Sequence, residues 1–346
     1  MNKLKVGIAG FGIVGKRRFE YIKSHPNLEV VAVCDQNYTI DSDENGVMCF
    51  TNYNKLLLLD LDILFVCLPN DIAPIVTIAG LKRGFHVFCE KPPGKSVEDI
   101  LSVISEENSH NNLKLMYGFN HRYHDSVNMA LSIIKKKELG DIINIRGVYG
   151  KSKIVSFKNG WRSERNISGG GILLDQGIHM VDLIRLFCGE FQDVKSFISN
   201  DYWKHDVEDN AYALMKNNKG IVAMLNSTAT QWQHKFNFEI TLTEGYMELH
   251  GILSGSKSYG EEEIIIGKRD EDSESGQMEI RKIKYLQDNS WKDEIYYFAE
   301  CIINNKPILN GSSDDALKTM QLVYQIYFQD EEWRNKYSIS DPFKSI

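Results

Sequence analysis

The chain has 346 residues, 42% hydrophobic and 25% charged, a composition that excludes disorder over most of its length and suits two domains rather than one small core. The formal net charge of -7 excludes non-specific nucleic-acid binding, which needs a basic surface, though a local basic site for phosphate remains open. The six cysteines (Cys34, Cys49, Cys67, Cys89, Cys188 and Cys301) form no CxxC pair, so buried, reduced thiols and a cytoplasmic location are expected.

From the start, the apolar run Lys5–Ala9 reads as a strand with no leader or long apolar span before it, so neither secretion nor membrane insertion is expected. Gly10–Gly15 reads as a turn and Ile13–Lys23 as a helix. Leu28–Cys34 and Ile63–Leu68 are strands, Ile72–Lys82 a helix, Phe85–Cys89 a strand, Val97–Glu107 a helix and Leu113–Tyr117 a strand. Strands alternating with helices predict a mostly parallel sheet covered on both faces.

The pattern changes near residue 120. Ser126–Lys137 reads as a helix, Asp141–Tyr149 as a strand and Ile172–Phe187 as a helix. Then come Val194–Ile198, Asn210–Met215, Ile221–Ser227, Phe236–Leu242, Tyr246–His250 and Glu263–Ile266. Successive strands without helices between them predict antiparallel pairing. The charged stretch Arg269–Gly276 reads as a loop, and Lys292–Ile303 and Asp314–Tyr327 close the chain as helices. The division expected is 1–120 and 121–346, in the α/β class.

Gly10-Phe11-Gly12-Ile13-Val14-Gly15 is a GxGxxG between a strand and a helix, the context that makes this pattern a dinucleotide fingerprint. Gly10 permits the tight turn, Gly12 lets the backbone approach a pyrophosphate, and Gly15 allows close helix–strand packing. The helix N-terminus offers amides and a positive dipole end to the phosphates. Asp35 ends the second strand, twenty residues after Gly15. A carboxylate there accepts hydrogen bonds from the adenosine ribose and repels a 2′-phosphate. No Arg or Lys follows at Gln36, Asn37 or Tyr38, so NAD is expected over NADP. The competing reading of Asp35 is a turn residue that satisfies backbone amides.

Two further clusters stand out. A strand runs into Cys89-Glu90-Lys91-Pro92-Pro93-Gly94, at the carboxyl edge where open α/β sheets bind ligands, with Lys91 stiffened by the prolines. Downstream, Ser168-Gly169-Gly170-Gly171 leads into a segment where Asp175 and His179, four apart, share a helix face. Gly177 between them costs roughly 1 kcal/mol in a helix relative to Ala, which close approach of another group would justify.

Together with Leu68-Pro69-Asn70, Gly118-Phe119-Asn120-His121-Arg122-Tyr123 and Trp161-Arg162, these motifs resemble the Gfo/Idh/MocA family, and the resemblance runs along nearly the whole chain. It implies a Rossmann domain followed by a C-terminal α/β domain with a large, mostly antiparallel open sheet, through which members associate as homodimers or homotetramers. It implies hydride transfer between nicotinamide and a secondary alcohol of a sugar, nucleotide sugar or cyclitol. Cofactor contacts would come from Gly10, Phe11, Gly12, Ile13, Val14, Gly15, Asp35, Leu68, Pro69, Asn70, Glu90, Lys91 and Asn120. Lys91, Asp175 and His179 would be catalytic. Arg122, Tyr123, Trp161 and Arg162 would join Asp175 and His179 on the substrate side, with Arg122 and Arg162 as phosphate or carboxylate partners or, equally, surface ion pairs. One departure is visible: many relatives carry a His three residues after the Pro-Asn pair, where this chain has Ala73. No Cys/His grouping suggests a metal. The alternatives are an NAD-containing glycoside hydrolase working by transient oxidation, a non-catalytic NAD-sensing protein, and a reductase of a non-sugar ring or imine.

Overall fold

The computed structural model describes residues 3–44, 46–153, 160–254, 258–270 and 277–344. The chain divides into two compact units. One comprises Met1–Phe119, Asn166–Gly169 and Trp291–Met320; the other Asn120–Arg165, Gly170–Ser290 and Gln321–Ile346. The expected break near residue 120 is present. Two later pieces, however, return to the first unit, because their apolar faces complete its core rather than that of the second.

The first unit holds β1 (Leu4–Ala9), β2 (Leu28–Cys34), β3 (Ser42–Glu44), β4 (Val47–Phe50), β5 (Ile63–Val66), β6 (His86–Glu90) and β7 (Leu115–Gly118) in one sheet, ordered β3-β4-β2-β1-β5-β6-β7. All its pairings are parallel except β3 with β4. Every residue of β5 is buried, as expected of a parallel strand covered on both faces. Its helices are α1 (Ile13–Ser24), the short α2 (Tyr53–Leu56), α3 (Ala73–Lys82) and α4 (Val97–Glu107). Ser96 and Asp99 form a capping box at the start of α4. Residues 291–303 of the helix α8 (Ser290–Ile303) also belong to this unit. There Phe298 packs edge-on against Phe88 and Phe65, which stack on each other at 4.9 Å. The chain leaves β1 toward β2 on one side and returns at β5 on the other, so the carboxyl ends of β1 and β5 flank the topological switch point where such sheets bind ligands.

The second unit is built on β8 (Ile142–Ser152), β9 (Phe191–Ser199), β10 (Asn210–Asn217), β11 (Val222–Gln231), β12 (Lys235–Leu242), β13 (Gly245–His250), β14 (Glu262–Arg269) and β15 (Met278–Tyr285). Their order is β15-β14-β13-β12-β8-β11-β10-β9. Only β8 with β11 is parallel. The second sheet is thus large and mostly antiparallel, as the resemblance implied. Its buried face carries α7 (Ile178–Cys188), in which every residue except Leu186 is buried. The helix sits close because Gly147 on β8 faces Met180, whose sulfur would lie 2.6 Å from any Cβ there. The other face leaves Phe197, Tyr212, Leu214 and Met224 exposed on the adjoining strands β9, β10 and β11.

The helix expected over Ile172–Phe187 has two parts: a π-helical turn, Leu173–Gly177, and then α7. Arg269 closes β14 instead of opening a loop, and residues 271–276 of that expected loop lie outside the described residues. The helix α5 (Asp125–Lys135), the last long helix α9 (Ser313–Gln329) and a short α10 (Glu331–Tyr337) complete the elements used below. Among the described residues no helix is long and apolar enough to cross a membrane. None of the six cysteines is disulfide-bonded. Burial pushes the Cys34, Cys89 and Cys188 thiols up to about 12, which keeps them protonated and unreactive at neutral pH.

Candidate active site

In the first unit the GxGxxG turn begins where β1 ends. Gly10 has φ +92°, and a Cβ there would lie 2.2 Å from the Cys67 carbonyl oxygen. A Cβ on Gly15 would lie 2.0 Å from the Gly10 carbonyl oxygen. Both glycines are therefore demanded by the protein's own backbone. Gly12 differs, since a Cβ there would meet nothing within 4 Å. The space above Gly12 is open, and the physical reason for a glycine there is the approach of something outside the chain. The amides of Ile13, Val14 and Gly15 precede the first intrahelical bond of α1, Lys16 N–H to the Gly12 carbonyl at 3.0 Å, and so point out of the helix start. A bound pyrophosphate fits this cradle.

Asp35 spans the mouth of the turn. One carboxylate oxygen accepts the Phe11 N–H at 2.9 Å; the other accepts the Asn37 N–H at 2.9 Å and its side-chain amide at 2.8 Å. Three of about four acceptor directions are used, leaving capacity for a ribose hydroxyl. Both readings of Asp35 thus have structural content: it ties Phe11 into place while facing the nucleotide turn. Leu68 lies against Gly10, and the Pro69 carbonyl accepts the Ile72 and Ala73 N–H groups to start α3.

Two expected cofactor contacts are committed inside the protein. Buried Asn70 donates to the Ser168 carbonyl at 2.7 Å. Glu90, the last residue of β6, accepts from Arg18 Nε at 2.7 Å. Arg18 is fully buried and also meets Glu294 at 2.7 Å while lying over the rings of Phe88 and Trp291. Burial works against the Arg18 charge, but Glu90 and Glu294 outweigh it and push its pKa further up. The role of Glu90 in this fold is ion pairing. Lys91 follows directly, half-buried, with Pro92, Pro93 and Gly94 buried after it.

In the second unit, Asn120, His121, Arg122 and Tyr123 form a buried 3₁₀ turn. The Asn120 amide donates to Ser290 Oγ at 3.1 Å. Arg122 was expected to face substrate. Instead its guanidinium makes a bidentate pair with Asp182 of α7, at 2.7 and 2.6 Å, with both side chains out of solvent. The fork geometry saturates the carboxylate, so Arg122 is corrected from a phosphate partner to a tie between the turn and α7. Tyr123 is buried beside it.

Arg162, in the turn Trp161–Ser163, lies over the Trp161 ring at 4.2 Å and reaches Asp175 at 3.3 Å. Asp175 sits on the π turn, and π turns recur at functional sites. The group that approaches Gly177 closely is Ser227 of β11, whose oxygen would lie 2.4 Å from a Cβ there. Gly169 has φ +81° and would clash with the Lys95 carbonyl, while Gly171 would clash with that of Glu208. The buried Glu208 carboxylate accepts the Gly171 and Leu173 N–H groups at 2.8 and 3.0 Å and the Tyr327 hydroxyl at 2.6 Å. It anchors the start of the helical segment that carries Asp175 and His179.

Four further residues join these, none of them singled out by the sequence. His121 stacks on His179 and meets the Tyr149 hydroxyl at 3.2 Å. Tyr259 packs edge-on against Tyr149 and donates to Gln176 at 3.0 Å. Lys151, two residues after Tyr149 on the same strand face, has its pKa lowered by burial, against the pull of Asp175. Burial likewise holds the Tyr149 phenol well above its usual range. The signal for Tyr149 and Lys151 was period-two alternation, which the sequence reading broke off at Tyr149. Among the described residues no group of three or more His, Cys, Asp or Glu side chains could hold a metal.

Residues 4–119 match the oxidoreductase family model for an NAD-binding Rossmann fold, and residues 127–248 match the GFO/IDH/MocA C-terminal domain. The chain belongs to the Gfo/Idh/MocA oxidoreductase family. Its first unit is the family's NAD-binding domain, which agrees with the open cradle at Gly12. Among curated family relatives, it is 27% identical over 214 residues to levoglucosan dehydrogenase of Pseudarthrobacter phenanthrenivorans (58% of this chain, 55% of that protein). It is 30% identical over 185 residues to glucose-6-phosphate 3-dehydrogenase of Bacillus subtilis (52% of each chain). The chain thus spans just over half the length of the curated relatives it matches. A solved levoglucosan dehydrogenase, in complex with NADH and L-sorbose, shares the fold at TM-score 0.83 and 19% identity, covering 96% of this chain and 97% of that one.

Proposed function

We propose that the protein is an NAD-dependent dehydrogenase that oxidises a secondary alcohol of a sugar, nucleotide sugar or cyclitol. The observation that carries this reading is the polar cluster of the second unit, where Asp175, held by Arg162, lies one turn from His179 on a segment anchored by Glu208. The curated relatives act on the same class of compound, being dehydrogenases of levoglucosan, glucose 6-phosphate, D-glucoside and inositol.

Gly12 and the first-turn amides of α1 hold the pyrophosphate, Asp35 the adenosine ribose, and Lys91 the nicotinamide side. Bound NAD supplies the hydride acceptor. The chain's own residues manage the proton and the charge. His179 takes the hydroxyl proton, as an imidazole suits near neutral pH. Lys91 donates a hydrogen bond to the reacting oxygen and stabilises its alkoxide character. Asp175 orients the substrate hydroxyls while Arg162 keeps its carboxylate in place. Trp161 offers an apolar ring to the sugar face, and Tyr123 borders the same turn as Asn120. The protein works in the cytoplasm as a homodimer or homotetramer through the open face of the second sheet. The exposed Phe197, Tyr212, Leu214 and Met224 supply the apolar contact.

The deciding experiment is a screen of free sugars, sugar phosphates, nucleotide sugars and cyclitols, read by thermal shift and NADH absorbance. NADH formation with one of these classes is the expected result. Cleavage of a glycoside without net NADH, or NAD binding with no turnover of any class, overturns it.

A further inference from the structure

The rings of His121 and His179 lie face to face, with centroids 3.8 Å apart and planes 12° from parallel. Both side chains are buried. One comes from the Asn120–Tyr123 turn and the other from the first turn of α7, so the stack fixes the plane of His179 from outside its own helix.

The surrounding hydrogen bonds assign the protons of His121. Ser290 Oγ donates to Asp288 at 2.6 Å and accepts the Asn120 amide at 3.1 Å. The Asn120 carbonyl oxygen is thereby turned to His121 Nδ1, at 3.3 Å, and Nδ1 must be the donor. Nε2 then bears the lone pair and faces the Tyr149 hydroxyl at 3.2 Å. The neutral tautomer satisfies both nitrogens. A second proton would force Tyr149 to act as acceptor and set an imidazolium against the face of His179, where two buried cations repel.

The other charged or titratable groups facing the pair do not relieve that repulsion. His124, 5.5 Å from His121, is bonded to Glu262 at 2.7 Å. The Arg122 charge is matched by Asp182. Asp175 precedes His179 on the π turn and is engaged by Arg162. From β8 come Tyr149 and Lys151, and Tyr259 packs behind Tyr149.

We propose that His121 is the positioning residue for His179: a permanently neutral ring that fixes the plane of the acid/base imidazole and leaves proton exchange to His179 alone. The proposal rests on the dehydrogenase reading for the use made of His179. The hydroxyl proton goes to His179 and from there to solvent; His121 neither gains nor loses one.

Two measurements test it. The first needs no substrate: imidazole ¹⁵N–¹H spectra of the whole protein between pH 5 and 9. His121 should keep its Nδ1–H neutral signature throughout while His179 changes protonation state. Titration of His121 in that range overturns the proposal. The second is kinetic, using the sugar found active in the screen. His121→Ala, which frees the ring, should lower kcat by about 10–100-fold with KM little changed, and His121→Phe, which restores a stacked plate, should recover most of the loss. Equal activity of the Ala variant and wild type, or a Phe variant as poor as Ala, overturns it. Should the Ala variant unfold, His121→Gln replaces it, filling volume without stacking. If the wild type oxidises no sugar, the dehydrogenase reading fails, and the spectra alone decide the state of His121.

Discussion

Arg122 and Asp182 form a bidentate ion pair, at 2.7 and 2.6 Å, with no solvent on the carboxylate. This pair joins the 3₁₀ turn to α7 and so holds the two elements that carry His121 and His179. Removing one partner strands a buried charge, which costs about 3–5 kcal/mol. Arg122→Met and Asp182→Asn should each lower stability on that order in urea unfolding. A variant of normal stability that merely loses affinity for phosphorylated sugars would return Arg122 to the substrate side.

The three glycines of the nucleotide turn should separate into two classes. Gly10→Ala and Gly15→Ala drive a methyl into backbone oxygen, at 2.2 and 2.0 Å, and should cost at least about 1–3 kcal/mol. Gly12→Val enters open space, so it should leave the unfolding midpoint near that of the wild type and weaken NADH binding by about 100-fold or more. Fluorescence titration and thermal unfolding on the three variants check this. A strongly destabilised Gly12→Val would mean that the turn, not the nucleotide, requires that glycine.

Lys91 and His179 should separate chemistry from cofactor affinity. Lys91→Ala is expected to lower kcat by about 10²–10³-fold and His179→Ala by about 10²–10⁴-fold, with NADH affinity little changed. The double variant should lose less than the product of the two, because groups acting on one hydroxyl work as a unit. Near-wild-type kcat in Lys91→Ala would remove it from the catalytic set.

Glu262 gives a pH test of stability. Burial opposes its charge, but His124 Nδ1 at 2.7 Å and the Ser126 hydroxyl and N–H at 2.7 and 3.0 Å outweigh burial and hold its carboxyl below the usual range. A depressed folded-state pKa contributes stability that is complete above the unfolded value, near 4.3, and disappears as pH falls through the folded value. Glu262→Gln should therefore be less stable than wild type at pH 7, with the gap closing below about pH 4.3. Urea unfolding at pH 7, 5 and 3.5 measures it; a gap that stays constant across that range assigns the effect to packing.

The sequence by itself determined the local elements and the nucleotide turn. Apolar runs such as Ile63–Val66 have one stable use, as strands buried on both faces, and Gly10 and Gly15 are demanded by atoms a few residues or one strand away. Elements with weak apolar patterning were not legible: the Ser42–Glu44 and Val47–Phe50 hairpin, the exposed edge strand Met278–Tyr285 and the short polar helix Glu331–Tyr337. Nor was the π turn Leu173–Gly177, since a change from i+4 to i+5 bonding leaves no mark in residue spacing. Tertiary structure alone decided the partners of the charged and ring side chains. Arg18 with Glu90 and Glu294, Arg122 with Asp182, and His121 on His179 are joined by burial across distant parts of the chain. A motif shows that an Arg or a His is present. Whether it meets a ligand or another side chain depends on which long-range neighbour arrives within about 3 Å, and only the folded packing fixes that.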